Sequence, residues 1–410
     1  MEEIKNSNTL VCDLLNTTYN SKDSKGSKGS IVSPIYKSST FQFSSAKEGE
    51  KAFELAYHLR EKEENENIQF IYSRVNNPNM EMIEKKLSIL NHSEESCIFS
   101  SGMSAISNSC LTFLKAGDSL LYSTPIYGGT NFLFEYIFPR YNINCIPFTN
   151  DITEEKMSYI IKENKNIKIL FIETPSNPLL QLISIKKIKK LIPENRDIIT
   201  IIDNTMISPI YFSPIDLGAD LVVYSITKFI GGHSDLVAGG VSGNYKLINN
   251  VKVYRTIMGG VLDSETCWLI ERSLATLKIR TEKQTQNAKE LIEFLKTNDK
   301  ILNIYYPGFN NKEQKEILEN EYSNSGSIIS FEIDYTKEEI FRFLDKLNII
   351  KLAVSLGSVD TLIQHPYSMT HRELSDNKKK KLNITEKLIR ISVGLEEIEC
   401  IINDIKQAFI

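Results

Sequence analysis

The sequence predicts an α/β protein, with a mostly parallel sheet covered by helices on both faces and a smaller α/β unit after it. Three observations carry this reading. Five short apolar, β-branched runs stop abruptly at small polar residues. Helix-like segments lie between several of them. The C-terminal third changes to longer segments with helical apolar spacing. Near-continuous apolar runs suit parallel strands buried on both faces. Strands that alternate with helices imply a doubly wound sheet.

Taken in order, the first 30 residues are rich in Ser, Asn, Gly and Lys and end in SKDSKGSKGS; they read as a flexible or partner-bound arm. The charged stretch HLREKEENEN (58–67) reads as a solvated helix end or insertion. The five runs follow: SCIFSSGMSA (96–105), SLLYSTPIYGGT (119–130), IKILFIETPSNP (167–178), IITIIDNT (198–205) and ADLVVYSITKF (219–229). TEEKMSYIIKEN (153–164) is one of the intervening helical segments. In the C-terminal part, Ala288, Leu291, Ile292 and Leu295 recur at helical spacing, as do Ile398, Ile401, Ile402 and Ile405. SIISFEI (327–333) reads as a strand.

Composition removes whole classes of function. The chain has 410 residues, 41% hydrophobic and 24% charged, which is globular rather than disordered. A net charge of −4 argues against a nucleic-acid binder, which carries a basic excess. No apolar run approaches the roughly 18 residues of a membrane span, and the polar opening MEEIKNSNTL shows no secretory signal. The six cysteines form no C-x-x-C pair, so free thiols in a reducing, cytoplasmic setting are expected, without disulfides or a metal.

Ligands of open α/β sheets sit outside the carboxyl ends of the strands. The first run ends at Ser100-Ser101-Gly102-Met103-Ser104 and opens into a helix, where backbone N–H groups could bind phosphate or small residues could serve packing alone. Neither dinucleotide nor P-loop fingerprints are present. Asp203 ends the fourth run; it needs a cationic or proton-bearing partner, unless it is a cap or a bonded structural acid. The fifth run leads through Ser225 and Thr227 to Lys228. A desolvated lysine has a lowered pKa and a nucleophilic amine, as a Schiff-base lysine needs. A lysine, an acid, a glycine turn and hydroxyl donors together meet the needs of pyridoxal phosphate (PLP).

At this point a resemblance becomes specific. YSRVNNP (72–78), SSGMSAI (100–106), PIYGGT (125–130), ETPSNP (173–178), DNT (203–205), SITKFIGGH (225–233), VSLGSVDTLIQHP (354–366) and IRISVGLE (389–396) resemble, in order, the signature blocks of the Cys/Met-metabolism PLP enzymes. The resemblance implies the PLP-dependent transferase type I fold (aspartate-aminotransferase-like), in homotetramers built from tight dimers. It implies an N-terminal arm over 1–76 contacting the neighbouring subunit, a PLP-binding domain over 77–275 and a C-terminal domain over 276–410. It implies that Lys228 holds PLP and moves protons, that Asp203 pairs with the ring nitrogen, and that Tyr127 stacks on the ring and acts as acid/base. Gly102, Met103, Ser225 and Thr227 are then phosphate ligands, and Tyr72 and Arg74 reach the phosphate of the neighbouring subunit. Arg390 clamps the substrate carboxylate, Asn177 lies near cofactor oxygen and carboxylate, and Ser355 lies near the substrate.

The substrate class implied is a sulfur amino acid or an activated homoserine. Val354 stands where cystathionine enzymes of this family usually carry an acid, and VSLGSVDTLIQHP with SMTH (368–371) is most similar to the methionine γ-lyases. An apolar wall suits a thioether methyl and leaves a second ammonium unpaired. Gly129 departs from this, since methionine γ-lyases typically carry Cys there. Elimination of methionine or homocysteine is therefore the first expectation. Cystathionine γ-synthase, O-acetylhomoserine sulfhydrylase and the cystathionine lyases are the alternatives. His233, His365 and His371 are expected to make structural hydrogen bonds rather than hold a metal, Met80 and Met82 to pack a helix, and KKKK (378–381) to be a solvated face.

Overall fold

The computed structural model describes residues 10–17, 30–57, 59–61, 63, 66, 69–149, 151–309 and 311–409. Seven strands make the large sheet: β1 (Glu95–Phe99), β2 (Ser119–Thr124), β3 (Asn144–Thr149), β4 (Ile167–Glu173), β5 (Ile199–Asp203), β6 (Leu221–Ser225) and β7 (Gly239–Gly243). Their order is β1-β7-β6-β5-β4-β2-β3. The block from β3 to β6 is parallel, and β7 runs antiparallel between β6 and β1.

The apolar runs explain themselves in section. Ile201 and Val223 face one layer, with Phe99, Phe171 and the helices Gly102–Phe113 and Tyr245–Met258. Val222 faces another, with the helices Pro78–Asn91 and Ser264–Leu274, and Ile202 packs with the helices Glu154–Glu163 and Ile185–Leu191. Each such strand is therefore apolar at consecutive positions because both faces are covered.

Two strands lack that signature. β3 is a half-exposed edge strand that carries Pro147, as edges tolerate. β7, GGVSG, is glycine-rich because close backbone approach demands it: a Cβ on Gly239 would collide with the Ser101 carbonyl.

The second sheet follows in the chain: β8 (Ile301–Tyr305), β9 (Ile328–Ile333), β10 (Lys351–Leu352), β11 (Leu362–Gln364) and β12 (Leu388–Ser392), in the order β10-β11-β12-β9-β8. The helices Leu277–Leu295, Lys337–Asp345 and Ile398–Ala408 bury their apolar stripes on it, Leu291, Phe343 and Ile401 among them.

Two expectations need amendment, and the 58–67 stretch gains a detail. Within the N-terminal arm, Leu10–Asn16 is a helix whose Leu14 is buried against Met80 and Ile83, because Leu10 and Leu14 share one helical face. Residues 1–9 and 18–29 of that arm lie outside the described residues. The KKKK run is not wholly solvated: in the helix Asp376–Lys381, Lys379 is buried with its ammonium 4.2 Å from the centre of the Tyr367 ring, a cation–π contact that keeps the charge partnered. In the 58–67 stretch, Arg60 forks onto Glu54 and Glu66; residues 58, 62, 64, 65 and 67 lie outside the described residues.

Met80 and Met82 are buried on the helix Pro78–Asn91. His233 and His365 are held by hydrogen bonds to backbone carbonyls and hydroxyls. Among the described residues no helix is long and apolar enough to cross a membrane, and no cluster of His, Cys, Asp or Glu could hold a metal ion.

Candidate active site

A cavity of about 690 Å³ opens at the carboxyl ends of β4, β5 and β6 and is closed by residues from 354–356, 370–373 and Arg390. Strand topology puts it there: three parallel strands end side by side, and the Cα register pairs Glu173 with Asp203 and Asp203 with Val223.

Lys228 follows β6 in a tight turn whose Gly232 N–H bonds the Lys228 carbonyl. Its Nζ lies 2.7 Å from Ser355 Oγ. Burial, with the Arg390 charge adding to it, pushes the Lys228 amine down to about 8. Ser355 reaches it from a left-handed backbone conformation (φ +95°), which non-glycine residues adopt at a cost of about 1–3 kcal/mol, usually at functional sites.

Asp203 is buried at the end of β5 and accepts the Thr205 N–H at 3.0 Å. Burial raises its carboxyl above the usual range. The Thr205 hydroxyl in turn accepts the Ser225 N–H at 2.9 Å, which ties the ends of β5 and β6 together.

The helix Gly102–Phe113 points its N-terminus at the cavity, capped by Ser101 Oγ on the Ser104 N–H. A Cβ on Gly102 would stand 2.8 Å from that of Ser225, so only glycine lets this turn and β6 approach. Gly102, Met103, Ser225 and Thr227 all line the cavity. The Thr227 hydroxyl is already engaged with the backbone N–H and carbonyl of Ala238.

Arg390, on β12, is buried and held from three sides. Its guanidinium donates to Asn177 Oδ1 and the Ser355 carbonyl, each at 2.8 Å, and to the Gln364 carboxamide, assigned oxygen-inward, at 3.1 Å from Nε. Burial pulls it down to about 10, with the Glu173 charge opposing. His371, also buried, is held down at about 4 by burial and by Arg390, so it is neutral.

Tyr127 is 45% exposed, and Val354 is 58% exposed at the mouth. A Cβ on Gly129 would sit 2.7 Å from the Tyr127 ring, so that ring fills the space a cysteine would use. Tyr72 and Arg74 do not line this chain's cavity. Arg74 stands 5.7 Å from the Tyr72 ring centre and donates to the Thr256 carbonyl at 2.7 Å. All other residues nominated from the sequence come together in the cavity.

Among the residues of the site that the sequence gives no role are Glu173, Thr205 and Glu373. Glu173 ends β4 fully buried, beside Asp203; the rule that singles out Asp203, a carboxylate ending an apolar run, applies to it equally. Thr205 stands in the DNT block, whose resemblance gives a role to Asp203 alone. Glu373 lines the cavity from the stretch RELSDNKKKK, where nothing separates it from solvated charge.

The arrangement fits PLP. It offers an amine of lowered pKa, a buried carboxylate in the same cavity for the ring nitrogen, a glycine-opened helix N-terminus for the phosphate and a buried guanidinium for an amino-acid carboxylate. Fold and site together define a type I PLP-dependent enzyme. The chain belongs to the Cys/Met metabolism PLP-dependent enzyme family, whose model matches residues 15–410. It is 37% identical over 381 residues to L-methionine gamma-lyase of Fusobacterium nucleatum subsp. polymorphum, covering 92% of this chain and 93% of that one. It is 36% identical over 344 residues to cystathionine beta-lyase of Lactococcus lactis subsp. cremoris, covering 83% and 88%. Its structure matches metB from Corynebacterium glutamicum with a TM-score of 0.87 at 30% identity, over 98% of each chain. PLP is therefore its cofactor and sulfur amino-acid metabolism its setting.

Proposed function

We propose that the protein cleaves the Cγ–S bond of methionine or homocysteine, taking up water and releasing a thiol, 2-oxobutanoate and ammonia. The observation that carries this reading is the composition of the cavity at the carboxyl ends of β4, β5 and β6. Lys228, Arg390 and Tyr127 converge there, while the residue at the mouth that would face a distal substituent, Val354, is apolar. Similarity to the methionine gamma-lyases supports it.

When bound, PLP supplies the electron sink that makes the substrate's Cα and Cβ protons removable. Arg390 binds the substrate carboxylate through a fork that Asn177, Gln364 and the Ser355 carbonyl hold in plane. Lys228 takes the Cα proton and assists at Cβ; Ser355 Oγ keeps its nitrogen oriented. Tyr127 donates its hydroxyl proton to the departing thiolate. Asp203 presents a carboxylate to the ring nitrogen. The N–H groups of Gly102 and Met103 and the hydroxyl of Ser225 would hold the phosphate, and Thr227 would add its hydroxyl by giving up Ala238. Tyr72 and Arg74 serve the phosphate of a neighbouring subunit, in a homotetramer of tight dimers with the arm 1–76, the PLP-binding domain 77–275 and the C-terminal domain 276–410. The six unpaired cysteines suit a cytoplasmic setting.

One observation favours a second reading, cystathionine cleavage. The Glu373 carboxylate lines the same cavity against Gly128, where a Cβ would collide with it, and could meet a distal ammonium. A panel of methionine, homocysteine, cystathionine and the O-acetyl and O-succinyl esters of homoserine, with and without cysteine or sulfide, tests both. Oxoacid release from methionine is the expected result; thioether formation from an ester, with no methionine turnover, overturns the reading.

A further inference from the structure

Glu173 is the last residue of β4 and is only 2% exposed. Each of its carboxyl oxygens is taken by a different loop: Oε2 accepts the Tyr127 N–H at 2.9 Å, and Oε1 accepts the Asn177 N–H at 2.8 Å. Tyr127 leads into the helix Gly128–Phe132 on one side of the cavity, and Asn177 receives Arg390 at 2.8 Å on the other. A carboxyl is a costly choice for this place. Burial and the neighbouring Asp203, paired with it across β4 and β5, hold it well above the usual carboxylate range. An apolar side chain would fill the volume without that cost, and a carboxamide would offer one acceptor oxygen. Neither presents a separate acceptor oxygen to each loop.

We propose that Glu173 is a positioning residue: its two oxygens hold the Tyr127 turn and the Asn177–Arg390 pair at one fixed separation, so that the leaving-group end and the carboxylate end of one substrate are in reach together. It acts through Tyr127 and Arg390. The inference rests on the roles given to those two residues in the proposed function, and it extends them to a residue that touches no substrate. Misplacement of a site by about 1 Å can cost on the order of 100-fold in rate, which sets the effect to look for.

The test uses the PLP-loaded full chain and three variants. Glu173→Gln removes one acceptor. Glu173→Asp keeps both on a shorter arm. Ser123→Ala disturbs the same strand end without touching the carboxyl, because Ser123 Oγ accepts the Glu173 N–H. In Glu173→Gln, hydrogen exchange at the Tyr127 and Asn177 amides should speed up by about tenfold or more, while peptides across β9 stay unchanged. Its kcat/KM for methionine, per bound cofactor, should fall by about 100-fold, with KM raised as well as kcat lowered. Glu173→Asp should recover part of both losses, and Ser123→Ala should stay within about threefold of wild type.

Unchanged exchange in the two loops, an unchanged KM, or an equal loss in Ser123→Ala overturns the proposal. If Glu173→Gln fails to fold, Glu173→Asp decides, and wild-type exchange and kinetics in it refute the idea. If the wild type turns over no methionine, the proposed function fails, while the exchange data still decide the role of Glu173.

Discussion

Val354→Glu should move the enzyme's preference from methionine toward cystathionine. Val354 lines the cavity mouth together with Tyr127 and is 58% exposed, so a carboxylate placed there is roughly half in water. A fully exposed ion pair is worth about 0.2–1 kcal/mol, and a hydrogen bond to a charged group in a drier site about 1.5–3 kcal/mol. A half-wet position lies between, at about 1–2 kcal/mol, or roughly 5- to 30-fold in kcat/KM for a substrate with a distal ammonium. The same change removes an apolar contact from the methionine methyl, worth about 0.8 kcal/mol, or roughly fourfold. The ratio of the two kcat/KM values should therefore shift by roughly 20- to 100-fold. The assay is oxoacid release from each substrate on each protein, at fixed cofactor occupancy. A shift below about threefold would refute the assignment of Val354 to the distal end. A wild type that already prefers cystathionine would overturn the methionine reading and favour the second one, in which Glu373 meets the distal ammonium.

Lys228→Ala should form no borohydride-stable adduct with PLP, and peptide mapping of the wild-type adduct should find the label on Lys228 alone. Mixing Arg74→Ala with Lys228→Ala, each inactive, should restore activity in hybrid dimers that hold one intact site; no recovery despite confirmed subunit exchange would count against Tyr72 and Arg74 serving a neighbour. The Lys228 amine, pushed down to about 8 by burial, is protonated and non-nucleophilic below that value. Cofactor loading of the apo-protein, followed by absorbance, should therefore slow by about tenfold per unit as pH falls below 8 and level off above it. Arg390→Lys should raise KM for methionine by on the order of 30-fold or more, through loss of one charge-assisted hydrogen bond, and change kcat less.

The sequence makes the interior of the large sheet legible because burial on both faces writes runs of apolar residues into β4, β5 and β6. It does not reveal β7, where the requirement at its first two positions is the absence of a side chain: Gly239 must clear Ser101, and a Cβ on Gly240 would stand 3.0 Å from Ile226 and Leu87. The helix Leu10–Asn16 is equally hidden, since two leucines one turn apart inside a polar arm give too short a pattern to stand out. Of the site, Lys228 and Asp203 are visible as charged residues terminating apolar runs. Glu173 carries the same mark in IKILFIE, and its meaning needs the register that sets it beside Asp203 and the two loop amides that it receives. The strained backbone of Ser355 lies in contacts that no local pattern encodes.

What closes the site is contact between segments far apart in the chain. Lys228 meets Ser355 across 127 residues, and Asn177 meets Arg390 across 213. The first bond orients the amine that moves the proton, and the second orients the guanidinium that binds the carboxylate. Both depend on how β12 and the 354–356 segment sit over the ends of β4 and β6. Ser355 joins the two bonds, since its hydroxyl meets Lys228 and its carbonyl receives Arg390. A shift of that one residue would thus displace the proton-moving amine and the carboxylate clamp together. That dependence gives a physical reason to hold Ser355 in a backbone conformation that costs stability.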